Sequence, residues 1–402
     1  MTKESHPYLI VLLAAVIATT PLAIDMYLPA MPVIAQDLNA HIGSVQQSLS
    51  IFLAAYGVGM LLFGPLADLF GRRPLAIFGL TGFTLCSVAL AFVDNVQHFL
   101  FLRALQAFCG AAATVVVPGL VRHMYQEHTA KGMSYMSMIM MLAPLLAPGI
   151  GSAILWMSDW RSIFFVLAIY GALIFALVWQ WLPEISKPIS NKPNTASNFF
   201  SGYAIVFSNS QARPLIMSMM FGSFAFFCFI TAVSFIYIQY FGVTEQEFSI
   251  LFGANVLCLI LANFINSRLV TRLGSVRMLR AGVAIALICA FLLCVFNFFE
   301  LNIWFSVFSI APLMAGLSLV STNTDALVLM KFPHHSGTAT AVMGTLRFGS
   351  GAFAGPLLAF FYTGSAMPFS LLMLTGVMGV TVCQLWFAHS DKQIAAIKNS
   401  VE

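Results

Sequence analysis

Asp25, Arg103 and Arg347 each lie inside a long apolar run of the chain. On insertion scales a charge in hydrocarbon costs at least about 2.5 to 3.5 kcal/mol, so it persists where it is paired, hydrated or used. A carboxylate in such a place can take up and release a proton, with an affinity set by burial and by neighbouring charges. A guanidinium keeps its proton and instead holds anionic or hydrogen-bond-accepting groups. Asp25 is about five residues, or ~7 Å of helix, from the end of its run, and Arg103 is about six residues, or ~9 Å, from the end of its own on the same side. They therefore sit at similar depth. Arg347 stands near the middle of its run, within Gly344-Thr345-Leu346-Arg347-Phe348-Gly349. Asp325 is a candidate partner for Arg347, and Lys331 in the adjacent loop has an equal claim on it. Each residue carries two readings: Asp25 is a proton carrier or half of a static pair, Arg347 a substrate or gating group or a structural one, and Asp325 a structural partner before an inner gate.

These groups need membrane-spanning elements to hold them. Of the 402 residues 60% are hydrophobic and only 8% are Asp, Glu, Lys or Arg, where a soluble globular chain carries about 25% charged residues. That balance excludes an ordinary soluble protein, and the apolar stock suits roughly twelve helices of about 20 residues. The runs are Tyr8 to Ala30, Ser44 to Leu66, Leu75 to Val93, Gln97 to Val117, Gly132 to Trp156 and Ser162 to Leu182 in one half. Pro214 to Tyr240, Glu247 to Ser267, Arg277 to Asn297, Ile303 to Val328, Ser336 to Tyr362 and Met367 to Ala388 make the other. The first run is too long for a signal-peptide core and lacks a small-residue cleavage site, so it reads as a retained span.

Basic residues mark one side. One set of loops and termini holds Lys3, Arg72, Arg73, Arg122, Lys131, Lys187, Arg213, Arg272, Arg280, Lys331 and Lys392 among others, and the opposite set holds Arg161 alone with Asp37, Asp94, Asp159, Glu245, Glu247 and Glu300. The asymmetry assigns the basic side and both termini to the cytoplasm. Residues 183–213, rich in Ser, Asn, Pro and Lys, read as a cytoplasmic linker between an N-terminal bundle at 1–182 and a C-terminal bundle at 214–388, with a tail at 389–402. The basic, Gly-containing stretch Asn266 to Arg280 echoes the loop between spans two and three. A six-plus-six parallel repeat is the architecture in which a substrate site forms between the halves and access alternates by rocking.

The loop after span two reads Gly64-Pro65-Leu66-Ala67-Asp68-Leu69-Phe70-Gly71-Arg72-Arg73-Pro74. In spacing, residue types and position it resembles the signature of the major facilitator superfamily, with Leu69 where the family usually carries a base. Gly64 and Gly71 are expected to permit close helix approach and a tight turn. Asp68, at a helix end, is expected to act as a conformational latch with helix N-termini and Arg72 or Arg73. Asp25-Met26-Tyr27-Leu28-Pro29 with Met31-Pro32, and Ala143-Pro144 with Ala147-Pro148-Gly149-Ile150-Gly151, narrow the resemblance to drug/proton antiporters of the bicyclomycin and chloramphenicol resistance (Bcr/CflA) type. Departures at Ile24, His123 and Ala107 make transfer of any particular drug unsafe.

The resemblance implies an all-α membrane protein of the major facilitator fold, with 12 transmembrane helices in two six-helix bundles, in the bacterial inner membrane. In that fold spans one and four line the central cavity, so a pair between Asp25 and Arg103 is available and would couple proton to substrate. Asp25, Tyr27, Arg103, Gln106 and Arg347 become the expected substrate cavity. Gly64, Asp68, Gly71, Arg72, Arg73, Pro144, Pro148, Gly149 and Gly151 become the expected conformational switch, the span-five residues by kinking and close packing. The expected partners are a small-molecule substrate, protons and the lipid bilayer, for a monomer.

Other chemistry lacks its residues. There is no phosphate-binding G-x-x-x-x-G-K-[ST] loop, no H-E-x-x-H and no G-x-S-x-G, so ATP-driven transport and the common hydrolases are not indicated. The formal charge of +4 is scattered, not gathered into a nucleic-acid patch. All seven cysteines lie in apolar runs without ligand spacing, His334 and His335 read as solvated, and no metal or cofactor is expected. The methionine run from Met133 to Met141 suits either a promiscuous cavity or lipid contact, with the second favoured. The expected function is proton-coupled export of small amphipathic drugs by alternating access. A dedicated exporter or proton-coupled importer of an endogenous, possibly anionic metabolite is the first alternative, and a non-transporting receptor or scaffold the second.

Overall fold

The computed structural model describes residues 7–125, 129–182, 206–332 and 336–401, and is helical with no strand among them. Side chains are not described at 7–8, Pro65, Asp68, Leu69, 122–141, 336–338, Ala341 or beyond 389. In chain order the helices are α1 (Pro7–Asp25), α2 (Met31–Asp37), α3 (Ile42–Phe70), α4 (Arg72–Leu90), α5 (Val96–Val115), α6 (Val117–Tyr125), α7 (Thr129–Met157) and α8 (Arg161–Trp181). Then come α9 (Arg213–Ser234), a π-helical turn at Phe235–Tyr240, α10 (Glu245–Leu273), α11 (Ser275–Phe298), α12 (Ile303–Lys331), α13 (Ser336–Gly351), α14 (Ala354–Phe360) and α15 (Met367–Val401).

Among the described residues, ten helical stretches are long and apolar enough to cross a membrane. The expected fifth and eleventh spans fall on α7 and on α13 with α14. Large side chains such as Phe92, Ile169, Phe264, Phe308 and Leu385 are exposed, which suits helices whose outer faces meet hydrocarbon instead of water.

Two compact units emerge, one of residues 1–191 with 234–253, the other of 192–233 with 254–402. In the first, Leu13, Val16, Leu80, Val117 and Val178 are buried in one core. With lipid outside, close contact and not water release drives helix association, which favours small residues at crossings. At Gly79 on α4 an added Cβ would come within 2.4 Å of the Ala113 nitrogen on α5, so only glycine admits this approach. In the second unit Leu215, Ile216, Leu279, Val320 and Val328 form the core. There Gly282 on α11 and Gly316 on α12 face each other, each Cβ falling 2.8 Å from the other's carbonyl oxygen.

Each unit also holds a sharp joint. Gly71 (φ +95°) turns α3 into α4, and Gly274 (φ +80°) turns α10 into α11. Both conformations are left-handed, which a Cβ disfavours. The echo between the two basic stretches is thus an echo of backbone geometry.

Candidate functional site

Span one does not run straight through. Pro21 lies inside α1, the helix ends at Asp25, a 3-10 turn at Leu28–Ala30 follows, and α2 resumes at Met31 with Pro32 in its first turn. Pro29 and Pro32 lack backbone donors, so the ladder cannot pass through them unbroken. The break leaves main-chain oxygens for other elements. Ser234 Oγ donates to the Leu28 carbonyl at 2.5 Å. Gly151 lies so close to the Met26 carbonyl that a Cβ would stand 1.9 Å from that oxygen.

Asp25, at the end of α1, is 4% exposed. Its carboxylate makes no hydrogen bond or ion pair among the described residues. The expected pair with Arg103 is therefore not formed. Arg103, on α5, is fully buried and donates from Nη1 to Gln106 Oε1 at 2.6 Å, one helical turn on. Its guanidinium carbon lies 4.3 Å from the centre of the Tyr27 ring and 4.5 Å from that of Phe52, with Phe164 at 6.0 Å. Aromatic faces carry negative potential, so the cation is held by rings in place of a carboxylate. Nε and Nη2 of Arg103 stay without a hydrogen-bond partner.

Gln106 passes the contact on, donating to Ser87 Oγ at 2.8 Å, and Ser87 donates to the Phe83 carbonyl. Tyr27 is fully buried with its hydroxyl 3.1 Å from Ser48 Oγ. Thus Tyr27, Arg103 and Gln106 come together, while Asp25 has no contact with them of the kind expected. Sequence reasoning missed Phe52, Phe164, Ser48 and Ser87. Ser87 and Gln106 are polar residues in apolar spans and were the available signal, whereas no spacing distinguishes Phe52 among 38 phenylalanines.

The aromatic cluster continues from Phe164 to Phe99 and Trp160 through edge-to-face contacts. Trp160 Nε1 donates to Asp37 at 3.1 Å, and Arg161 bridges Asp37 (2.6 Å) and Asp94 (3.1 Å). The sole basic residue of the acidic loop set is thereby tied to two acids of that set.

Two switch glycines make the expected close contact or turn and two do not. Gly71 forms the turn, with its N–H donating to the Ala67 carbonyl, and Gly151 forms the contact on Met26. At Gly64 and Gly149 an added Cβ would meet nothing within 4 Å, so neither is needed there for close packing. Arg72 donates to the Gly119 carbonyl at 2.5 Å and Arg73 to the Trp179 carbonyl at 2.6 Å. Both join α4 to neighbouring helices of the same unit. The side chains of Asp68 and of the methionine run are not described, and His334 and His335 lie outside the described residues.

Pro144 and Pro148 sit inside a continuous α7. The Pro148 carbonyl accepts from Ser249 Oγ at 2.9 Å, and Ser152 Oγ stands 2.5 Å from Ser249 Oγ and 2.8 Å from the Glu245 carbonyl. With Ser234 on Leu28, these hydroxyls fasten residues 234–253 to α7 and to the break in span one.

In the second unit Arg347, on α13, donates from Nη2 to both oxygens of Asp325 at 2.7 Å and to Ser321 Oγ at 3.3 Å. Asp325 is its partner, and Lys331 instead donates to Gln211 Oε1 at 2.9 Å.

Comparison with known proteins agrees with this architecture. The family model described as Major Facilitator Superfamily matches residues 13–356. A bicyclomycin resistance protein homolog of Haemophilus influenzae is 31% identical over 392 residues, covering 97% of this chain and 98% of the relative. Multidrug resistance protein D of Escherichia coli is 25% identical, with 96% of each chain covered. The crystallised xylose transporter XylE of E. coli, in a partially occluded inward-open conformation, superposes with a TM-score of 0.71 at 14% identity, over 93% of this chain and 95% of that one. With spans, broken first helix, glycine joint and family match in agreement, this multi-pass membrane protein is no enzyme and belongs to the major facilitator superfamily.

Proposed function

We propose that the protein is a proton-coupled secondary transporter that exports small amphipathic compounds by alternating access, with Asp25 as its proton carrier. The observation that carries the reading is the state of Asp25, a carboxylate buried in a membrane span, at a helix break, with no partner among the described residues. An ionised carboxylate there is costly unless something neutralises it. A proton does so, and so does a cationic or hydrogen-bond-donating substrate. The two exclude each other at one group, which is the physical basis of exchange.

Arg103 contributes a fixed positive field without quenching Asp25, because Tyr27, Phe52 and Gln106 hold it. Tyr27 and Gln106 then serve the cavity through Arg103. Arg347 reaches substrate from the second unit, with Asp325 setting its geometry. Gly71, Arg72, Arg73 and Asp68 act as the switch on the basic side. Pro144, Pro148 and Gly151 act with the serine contacts on the acidic side, contacts that must part for that side to open. Gly64 and Gly149 keep a role in the switch as places where a neighbour can approach in another conformation. The loop charges support a bacterial inner-membrane location with both termini in the cytoplasm, and the working unit is a monomer. The names of the relatives, for bicyclomycin and multidrug resistance, favour drugs as substrates.

The test uses purified protein in liposomes with an imposed proton gradient. Addition of cationic, neutral or anionic amphipathic compounds is expected to dissipate the gradient for at least one class. Asp25→Asn is expected to reduce that substrate-driven proton flux at least about tenfold, a barrier change of about 1.4 kcal/mol. Flux at the wild-type rate in Asp25→Asn overturns the assignment.

A further inference from the structure

We infer that Asp325 and Arg347 together form a receptor for a zwitterionic ligand, one that carries a basic nitrogen and a carboxylate on the same small molecule. The inference rests on the transport reading above and names a substrate class for it. Ser318, Ser321, Thr322 and Asp325 recur on α12 at the spacing of one helix face. Asn263 of α10 flanks this row, donating to Ser318 Oγ at 2.8 Å and accepting from Thr322 Oγ1 at 2.9 Å. Arg347 of α13 flanks it on the other side. None of these six residues is fully buried, and Thr322 is exposed. A continuous polar row on a spanning helix does not survive against lipid, so this face meets water.

The pairing geometry separates a receptor from a brace. The strongest structural pairing of arginine with a carboxylate uses two parallel N–H to O bonds from two nitrogens. Here Nη2 alone serves both Asp325 oxygens, while Nε has no partner and Nη1 has none among the described residues. The guanidinium and carboxylate side chains are 31% and 29% exposed. At that exposure their mutual attraction is weakened by solvent and gives little to stability, so the pair is poorly explained as a brace. It presents instead an accessible carboxylate beside an accessible cation with donors unused. A ligand carboxylate fits Nη1, a ligand ammonium fits the free lone pairs of Asp325, and the Thr322 hydroxyl, one turn from Asp325, can accept a further bond while it donates to Asn263. An isolated cation or anion would meet attraction from one residue and repulsion from the other. A zwitterion meets attraction from both.

The experiment compares three probes on the purified full-length protein: an aliphatic amino acid carrying an aryl side chain, its methyl ester and its N-acetyl derivative. The ester is a cation and the acetylated compound an anion. Wild-type protein is expected to bind the zwitterion about tenfold more tightly than either derivative, the size of one charge-assisted contact. Asp325→Asn is expected to erase the preference over the N-acetyl compound, and Arg347→Gln the preference over the ester. Equal binding of the three probes by wild-type protein overturns the inference, as does a preference that survives both substitutions. Proton exchange driven by a neutral amphipathic compound, measured on wild-type protein in liposomes, separates the two failures. Exchange without zwitterion preference sinks this inference alone, and zwitterion preference without any proton exchange sinks the antiport reading and leaves the receptor standing.

Discussion

Arg103 is fully buried and rests between the faces of Tyr27 and Phe52 with Gln106 as its acceptor, whereas Arg347 is partly exposed and gives one nitrogen to both oxygens of Asp325. The same ion is stabilised in two ways. Ring faces and an amide dipole hold a cation without neutralising it, and each desolvated ring contact is worth about 2 kcal/mol. Two such contacts and the bond to Gln106 offset a desolvation penalty of several kcal/mol without cancelling the charge. Its field therefore remains available, and so does the unpaired Asp25. In the second unit cation and carboxylate face water together as a dipole. One centre separates its charges and the other displays them side by side.

The largest expected effect comes from exchanging the charges. In the second unit the double variant Asp325→Arg with Arg347→Asp keeps an ion pair at a partly hydrated site, and its unfolding free energy in detergent is expected to stay within about 1 kcal/mol of wild type. In the first unit Asp25→Arg with Arg103→Asp places a carboxylate against the negative faces of Tyr27 and Phe52 and leaves a buried guanidinium without a partner. That protein is expected to lose several kcal/mol and to be largely unfolded or degraded on expression. If both double variants behave alike, the two centres are not different in kind.

Much of the frame was legible in the sequence. Span positions followed from run length, and the joint at Gly71 and its echo at Gly274 followed from glycine in a basic loop between spans. Asp325 was legible as a candidate partner of Arg347, but Lys331 had an equal claim on it from the sequence alone, and only the structure separates them. The Asp25 and Arg103 pair was not formed although depth allowed it. Depth gives height along a helix and leaves rotation about its axis open, and a span apolar on every face carries little rotational signal. For the same reason Phe52 could not be singled out. The serine contacts of 152, 234 and 249 depend on carbonyls freed at a helix break or crossing, which no residue type announces. Pro29 and Pro32 were the trace of the break itself.

A smaller effect sharpens the contrast through the neutral partners of the two arginines. Gln106 accepts from Arg103 at 2.6 Å in a buried site and donates onward to Ser87, while Ser321 meets Arg347 at 3.3 Å in a partly exposed one. Gln106→Ala removes the acceptor 2.6 Å from Arg103 Nη1, and is expected to cost about 1 to 3 kcal/mol of unfolding free energy. Ser321→Ala is expected to cost less than about 0.5 kcal/mol, since solvent replaces a long bond. Denaturant titration of the two variants in detergent reads the difference, and equal costs would mean that burial is not what distinguishes the sites.

The smallest effect isolates the rings themselves. Phe52→Leu removes an aromatic face 4.5 Å from the Arg103 guanidinium, and Phe164→Leu removes one at 6.0 Å. Both substitutions also disturb packing, so their separate costs say little about the cation. A double-mutant cycle with Arg103→Met cancels the packing share, because the leucine is present in both arms and the cation in only one. The coupling to Phe52 is expected at about 1 to 2 kcal/mol, between the exposed and the fully desolvated values for a cation over a ring. The coupling to Phe164 is expected below about 0.5 kcal/mol, because attraction to a ring quadrupole decays steeply with distance. A cycle between Arg103→Met and Asp25→Asn then places the carboxylate on the same scale. Were that coupling larger than the one to Phe52, the guanidinium would answer to Asp25 after all, and the rings would be packing around an ion pair instead of standing in for one.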